Sequence, residues 1–274
     1  MKMWQKNFMI PLNKDGVNMT PTAIEFDDVS KTYSDSNAYA VDHVNLSISE
    51  GEFITILGTS GSGKTTLLKM VNRLNDPSHG IIKIFGEDIA RVDPVKLRRK
   101  IGYVIQQVGL FPHINIEQNI ATVPRLLKWD KKKIEDRVQE LLALVGLDSE
   151  NFKRRYPSQL SGGQQQRIGL ARALATDPNI MLLDEPFGAL DAITRLNLQD
   201  ELLKIHGGMK KTFLFVTHDI NEAFKLGTRV MIMNRGKVCQ FDTPREIVTH
   251  PADDFVYSLI QSSKEQERFW GNLT

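Results

Sequence analysis

Gly58-Thr59-Ser60-Gly61-Ser62-Gly63-Lys64-Thr65 fits the pattern GxxxxGK(S/T) without a mismatch. The residue types suit a phosphate group. The glycines let the backbone wrap an anion at positive φ. Lys64 is expected to reach the β- and γ-phosphates of a nucleotide, and the Thr65 hydroxyl to ligate Mg²⁺. Thr66 follows directly and joins the candidate nucleotide contacts. Further on, Ile180-Met181-Leu182-Leu183-Asp184-Glu185 is four apolar residues followed by two carboxylates. Asp184 can hold Mg²⁺ through water, and Glu185 can orient an attacking water. In isolation the same run would also suit a strand ending at a solvated acidic turn.

Leu160-Ser161-Gly162-Gly163-Gln164 is another Ser/Gly-rich helix start. It is either a second anion site or an ordinary cap supplied by Ser161. A chain with two such sites needs two phosphates, or one phosphate shared between two chains. His218 follows a short apolar run and would also suit an ordinary strand-end histidine. Its position favours function, because ligands gather at the carboxyl ends of parallel strands.

The flanking elements argue against a chance Gly/Ser turn. Glu52 to Leu57 is short, apolar and rich in β-branched residues, as a buried parallel strand should be. Thr66 to Leu74 carries apolar residues at helical spacing. The loop therefore leads into a helix N-terminus, where unpaired N–H groups and the helix dipole favour an anion. Residues 23–29 alternate like an edge strand, and Val41 to Ser49 alternates again, which predicts a small antiparallel layer beside the main sheet. Further strands are expected at 81–85, 101–105, 180–183 and 212–216, with a terminal pair at 230–233 and 237–241. Asp93 and Pro94 open a short basic helix. Between Phe111 and Arg167 the periodicity turns helical, with Ile134, Val138, Leu141, Leu142 and Val145 on one face and Ile116, Ile120 and Val123 on a shorter one.

Composition is that of a globular protein: 274 residues, 25% charged and 41% hydrophobic. A formal net charge of +2 argues against nucleic acid as a partner bound by bulk charge. Cys239 is the only cysteine, so no internal disulfide can form. No apolar run approaches a membrane span, and Pro11 interrupts the N-terminal one, so a signal peptide is not expected.

Taken together, the motifs resemble those of ATP-binding cassette ATPases, the motor subunits of ABC transporters. LSGGQ stands unaltered at residues 160–164. The resemblance covers residues 23–250 and implies an α/β P-loop NTPase fold with a mixed sheet core, a small antiparallel β layer and a helical subdomain inserted at about 111–167. It assigns Tyr33 to adenine stacking and Gln106 to Mg²⁺ and the γ-phosphate. Glu185 becomes the catalytic base, Asp191 the loop across a dimer interface, and His218 the switch histidine. Lys64, Glu185 and His218 are then the catalytic set. Tyr33, residues 58–66, Gln106, Ser161, Gly162, Gly163, Gln164, Asp184 and Asp191 contact nucleotide, with Thr65, Gln106 and Asp184 at the metal. Two copies are expected to pair head to tail around ATP.

The stretches 69–74, 97–113, 123–129 and 184–191 resemble bacterial importers of quaternary amines such as glycine betaine, carnitine and choline. That resemblance implies membrane permease subunits as direct partners, an extracytoplasmic solute-binding protein as an indirect one, and a location at the cytoplasmic face of the membrane. Phe111-Pro112-His113 is either a permease contact or a packed loop between subdomains. The alternatives are an ATPase for an amino-acid or other polar-solute importer, or a cassette protein acting in translation or DNA repair. Residues 1–22 are expected to be a leader, with Met19 as a second possible start. Residues 251–274 are expected to form a short tail, too small for regulatory CBS domains.

Overall fold

The computed structural model describes residues 20–33, 38–106, 109–188, 190–208 and 211–271, the last six of these by backbone alone. Most of the expected leader, residues 34–37, Gln107, Val108, Ala189 and the side chains of Phe269 and Trp270 lie outside the described residues.

In chain order the elements are β1 (Thr22–Thr32), β2 (Tyr39–Ser49), β3 (Phe53–Gly58), α1 (Lys64–Val71), β4 (His79–Ile84), β5 (Glu87–Asp88), α2 (Pro94–Arg98) and β6 (Ile101–Val104). Next come α3 (Ile116–Ile120), α4 (Thr122–Leu126), α5 (Lys131–Leu144), α6 (Ser149–Phe152), α7 (Gly162–Leu174), β7 (Ile180–Asp184) and α8 (Ala192–Gly208). The chain continues with β8 (Thr212–Thr217), α9 (Ile220–Leu226), β9 (Arg229–Asn234), β10 (Lys237–Asp242), α10 (Pro244–Thr249) and α11 (Asp254–Gly271).

Among the described residues the strands form two sheets. The six-stranded one has the order β10-β9-β3-β8-β7-β6. Only β10 runs antiparallel to its neighbour, so the sheet is mixed. β3, β7 and β8 are buried along their whole length. Their side chains alternate between two cores, as a period of two demands. Phe53, Met181, Leu183, Phe213 and Phe215 pack under the helices α3, α5, α7 and α8. Ile54, Ile56, Ile180, Leu182, Leu214 and Val216 pack on α1 and the second sheet. This double burial is why these segments read as unbroken apolar runs rather than as alternating ones.

The second sheet is antiparallel, with order β2-β1-β4-β5. β1 is therefore an inner strand, contrary to the expected edge. Its alternation comes from having one face on the core, which an inner strand of a one-sided sheet shares with an edge strand. Pro124 also divides the shorter helix expected near 116–123. It lacks an N–H and so sits in the first turn of a new helix, α4, where none is needed. At the C-terminal side, Val256 and Ile260 are buried against Leu57, Val230 and Ile247. The packed body thus extends past residue 250.

On the antiparallel sheet, Asp28 on β1 joins two histidines. Its Oδ1 lies 2.6 Å from His43 Nδ1 and its Oδ2 lies 3.1 Å from His79 Nε2. Asp28 and His43 both have positive φ, 51° and 47°, where the strand register breaks. The hydrogen bond to Asp28 raises the His43 pKa, Asp42 adds to this, and Lys237 opposes it. The same bond lowers the Asp28 pKa. The His43 contribution to stability is present below the ordinary imidazole pKa and is lost as pH rises through its raised one. The Asp28 contribution is present above the ordinary carboxylate pKa and is lost as pH falls through its lowered one. His43→Asn tolerates the left-handed backbone and removes the pair. Its melting temperature should fall below wild type at mildly acidic pH, with the gap closing toward alkaline pH. A gap that stays constant from about pH 5 to about pH 9 would refute the assignment.

Candidate functional site

Parallel strands deliver their carboxyl ends to one edge of the sheet, where the functional side chains collect. Gly58 ends β3, Thr217 ends β8 with His218 next, Asp184 ends β7 with Glu185 next, and Gln106 follows β6. β3, β8, β7 and β6 are consecutive neighbours, so these residues line one row.

The loop at 58–65 is tied down from both sides. Gly63 has φ of 100° and a Cβ there would lie 2.2 Å from the Ala40 carbonyl oxygen. Gly58 is equally constrained, with a Cβ 2.2 Å from the Met233 carbonyl oxygen. Gly236 N donates to Ser62 O at 3.1 Å, which fixes the loop to the β9–β10 turn. Thr59, Ser60 and Gly61 face outward. Lys64 is buried, and its Nζ donates to the carbonyls of Gly58 and Thr59 at 2.8 Å each. An ammonium has three donors, so one remains for a ligand. Burial pushes the Lys64 pKa down, while the Glu185 and Asp184 carboxylates pull it back.

Thr65 Oγ1 donates to Asp184 Oδ1 at 2.8 Å, joining two candidate metal ligands. Burial raises the Asp184 pKa, against the Thr65 hydrogen bond and the Lys69 charge. A cation here would relieve that cost. The residues therefore fit a divalent cation next to a phosphate. The Ser62 hydroxyl, buried and without a hydrogen-bond partner, fits the same conclusion.

Glu185 stands at the centre of the row. Gln106 Nε2 donates to Glu185 Oε2 at 3.3 Å, and His218 Nδ1 lies 3.6 Å from the same oxygen. Glu185 has φ of 45°, a strained conformation for a residue with a Cβ. Its N–H donates to Val216 O at 3.1 Å, which holds that turn against β8.

The arrangement is a phosphate loop, a paired Thr–Asp and a carboxylate bonded by Gln106 with His218 3.6 Å away. A family model for ABC transporter matches residues 41–188, more than half of the chain. The chain belongs to the ABC transporter family. It is 54% identical to the choline transport ATP-binding protein OpuBA of Bacillus subtilis, over 86% of this chain and 62% of the relative. It is 52% identical to the glycine betaine uptake system ATP-binding protein YehX of Escherichia coli, over 88% of this chain and 77% of the relative. The ABC chain thus spans less than two thirds of the Bacillus protein. Among solved structures, a dimeric post-hydrolysis state of an ATP-binding cassette bound to ADP and Pi aligns with a TM-score of 0.73. That match is 38% identical and covers 81% of this chain and 99% of the other. The fold is that of an ABC ATPase cassette.

Not every expected contact falls in one place within this ABC chain. Ser161 caps α7: its Oγ accepts from Gln164 N at 3.3 Å, and Gln164 Oε1 accepts from Ser161 N at 3.0 Å. Gly162 and Gly163 form the first turn. A Cβ on Gly163 would lie 2.7 Å from Thr194 Cγ2, so this helix start rests against the Asp191 segment. Among the described residues no hydrogen bond or ion pair joins 161–164 to 58–65. Asp191 Oδ1 accepts from Thr194 N at 3.0 Å and opens α8, and that bond lowers its pKa. Tyr33 is about half exposed, and its hydroxyl accepts from Asn75 Nδ2 at 3.0 Å. Phe111 keeps an exposed ring, but its backbone is clamped by Asn119, which bonds both Phe111 N and Phe111 O.

Two residues beside this cluster are not found by motif. Glu222 is buried in α9, three residues after the cap Asp219. In sequence, Asp219 and Glu222 resemble a capping box. Instead the Glu222 carboxylate turns back to β8: Oε2 accepts from Thr217 Oγ1 at 2.7 Å, and Oε1 accepts from Gln199 Nε2 at 3.3 Å. Arg195 on α8 is the second, with Nε 3.7 Å from Glu222 Oε1. The signal was the acid three residues after the cap, but its partner comes from another element.

Proposed function

We propose that the chain is the ATP-hydrolysing motor subunit of a bacterial importer for quaternary amines of the betaine type. The observation that carries the hydrolytic part is the Glu185 carboxylate, bonded at Oε2 by Gln106 with His218 3.6 Å from the same oxygen, beside the phosphate loop. Oε1 is left to accept a hydrogen bond from water and aim its oxygen at the γ-phosphorus. The water oxygen bonds the γ-phosphorus as its proton passes to Glu185, the bond to the ADP oxygen breaks, and phosphate and ADP leave. Lys64 and the loop N–H groups hold the phosphate charge. Thr65, Asp184 and Gln106 would hold Mg²⁺, which neutralises phosphate charge when bound. Tyr33 is the candidate adenine platform.

The solute class rests on similarity to proteins named for choline and glycine betaine transport. Permease subunits and an extracytoplasmic binding protein are the partners that such a motor needs, with the clamped Phe111 corner as candidate contact. The motor itself would work from the cytoplasmic face. No helix among the described residues is long and apolar enough to cross a membrane. A thermal-shift screen of the partner binding protein should respond to betaines. A response to amino acids alone would move the assignment to another importer branch.

Two helix-start sites that do not meet within the chain support a head-to-tail dimer, with each ATP between 58–65 of one copy and 161–164 of the other. Lys64→Ala and Ser161→Arg chains should each be inactive alone. Mixed, they can form one intact composite site, so part of the hydrolysis should return. A mixture as inactive as its parents, with heterodimers shown to form, would count against a site that works singly across two chains.

A further inference from the structure

Arg195 touches two segments that carry candidate site residues. Its Nη2 donates to Leu190 O at 3.2 Å, the residue before Asp191. Its Nη1 lies 3.7 Å from Asp219 Oδ2, the residue after His218. Its Nε is buried without a hydrogen-bond partner and faces Glu222 Oε1 at 3.7 Å. Glu222 in turn holds Thr217, the residue before His218, whose Oγ1 also accepts from Asp219 N at 3.0 Å. His218 is therefore flanked on both sides by residues that Arg195 and Glu222 hold. On the other side, Leu190 and Thr194 meet Gly163 of the second helix start. A series of neighbouring groups runs from Gly163 past Leu190 to Arg195 and Glu222, then through Thr217 and Asp219 to His218, which faces Glu185.

We propose that Arg195 and Glu222 are positioning residues that couple the Asp191 segment to His218. Resting on the hydrolytic reading above, the pair sets where His218 stands against Glu185 according to how the Asp191 segment is held. Neither side chain touches the reacting atoms. A rigid guanidinium suits this bridge, because its planar fork presents donors in several fixed directions. Among the described residues Arg195 is the cation paired with this buried carboxylate, whose other bonds, from Gln199 and Thr217, carry no charge.

The test has two arms. In the first, backbone amide spectra of the ¹⁵N-labelled chain without nucleotide are compared for wild type, Glu222→Gln, Arg195→Ala and the double variant. Glu222→Gln keeps a hydrogen-bonding side chain of the same shape, so folding should survive, and melting curves check this. It should shift the amides of His218 and Asp219 and also those of Leu190 and Asp191. In the Arg195→Ala background the shift at Leu190 and Asp191 should disappear. Unmoved Leu190 and Asp191 signals, or a shift that persists without Arg195, overturn the coupling.

In the second arm, each single variant should lower kcat for ATP hydrolysis by about 10-fold, with KM changed less than about 2-fold. Arg195→Lys should recover less than wild type, since an ammonium lacks the planar fork. The double variant should be no slower than the worse single one. Multiplicative losses, or a rise in KM at constant kcat, overturn the proposal. If wild type binds ATP but does not hydrolyse it, the hydrolytic reading fails, and the spectra still decide the coupling.

Discussion

Glu185→Gln should lower ATP hydrolysis by about 10²–10⁴-fold while leaving ATP binding intact, the loss expected for a positioned general base. The exchange is mild in structure. Glutamine fills the same volume, accepts the left-handed backbone no worse than glutamate, and its amide oxygen can still accept from Gln106 Nε2. It loses the negative charge and the basicity that orient a water. Binding should persist because Lys64, Thr65 and the loop N–H groups are untouched. ATP would then stay in place, and the proposed dimer should remain closed around it. Light scattering of this variant with ATP and Mg²⁺ should show dimer. Monomer only, at high protein concentration, would contradict the shared site. Hydrolysis within about 3-fold of wild type would remove Glu185 from the role of base.

Lys64→Ala should weaken nucleotide binding itself by about 100-fold, in line with the roughly 2–5 kcal/mol lost when one partner of a buried, hydrogen-bonded charge pair is cut away. Two effects combine. The phosphate loses its cation. The loop also loses its internal tie, because Lys64 Nζ bridges the Gly58 and Thr59 carbonyls at 2.8 Å each. Those carbonyls would then point at an anion with nothing between them. Equilibrium binding of a fluorescent ATP analogue measures the change. Binding as tight as wild type would show that the loop is not the main phosphate holder. The contrast between the two variants separates chemistry from binding. Glu185 acts after the nucleotide is seated, and Lys64 seats it.

Local chemistry decided much of this protein, and the sequence carried that part openly. The phosphate loop was legible because its requirements lie within eight consecutive residues. Glycine must occupy positions with positive φ or no room for a Cβ, and Lys64 must follow them directly. The buried strands were legible because burial on both faces leaves no polar position in β3, β7 or β8 beyond Thr55 and the terminal residues. The caps of α2 and α7 were legible because Asp93 and Ser161 bond N–H groups three residues away.

Tertiary structure decided what joins across the chain. That β1 is an inner strand depends on β4, which lies far along the chain, so no local pattern could show it. The meeting of Gln106, Glu185 and His218 depends on strand order, because β6, β7 and β8 become neighbours only when the sheet is assembled. Glu222 shows the limit most clearly. Its position three residues after Asp219 satisfies a local capping rule, yet its carboxylate serves Thr217, Gln199 and Arg195 instead. A buried carboxylate is costly unless paired and hydrogen-bonded, and once α8 and β8 supply those partners, the distant contacts outweigh the local one.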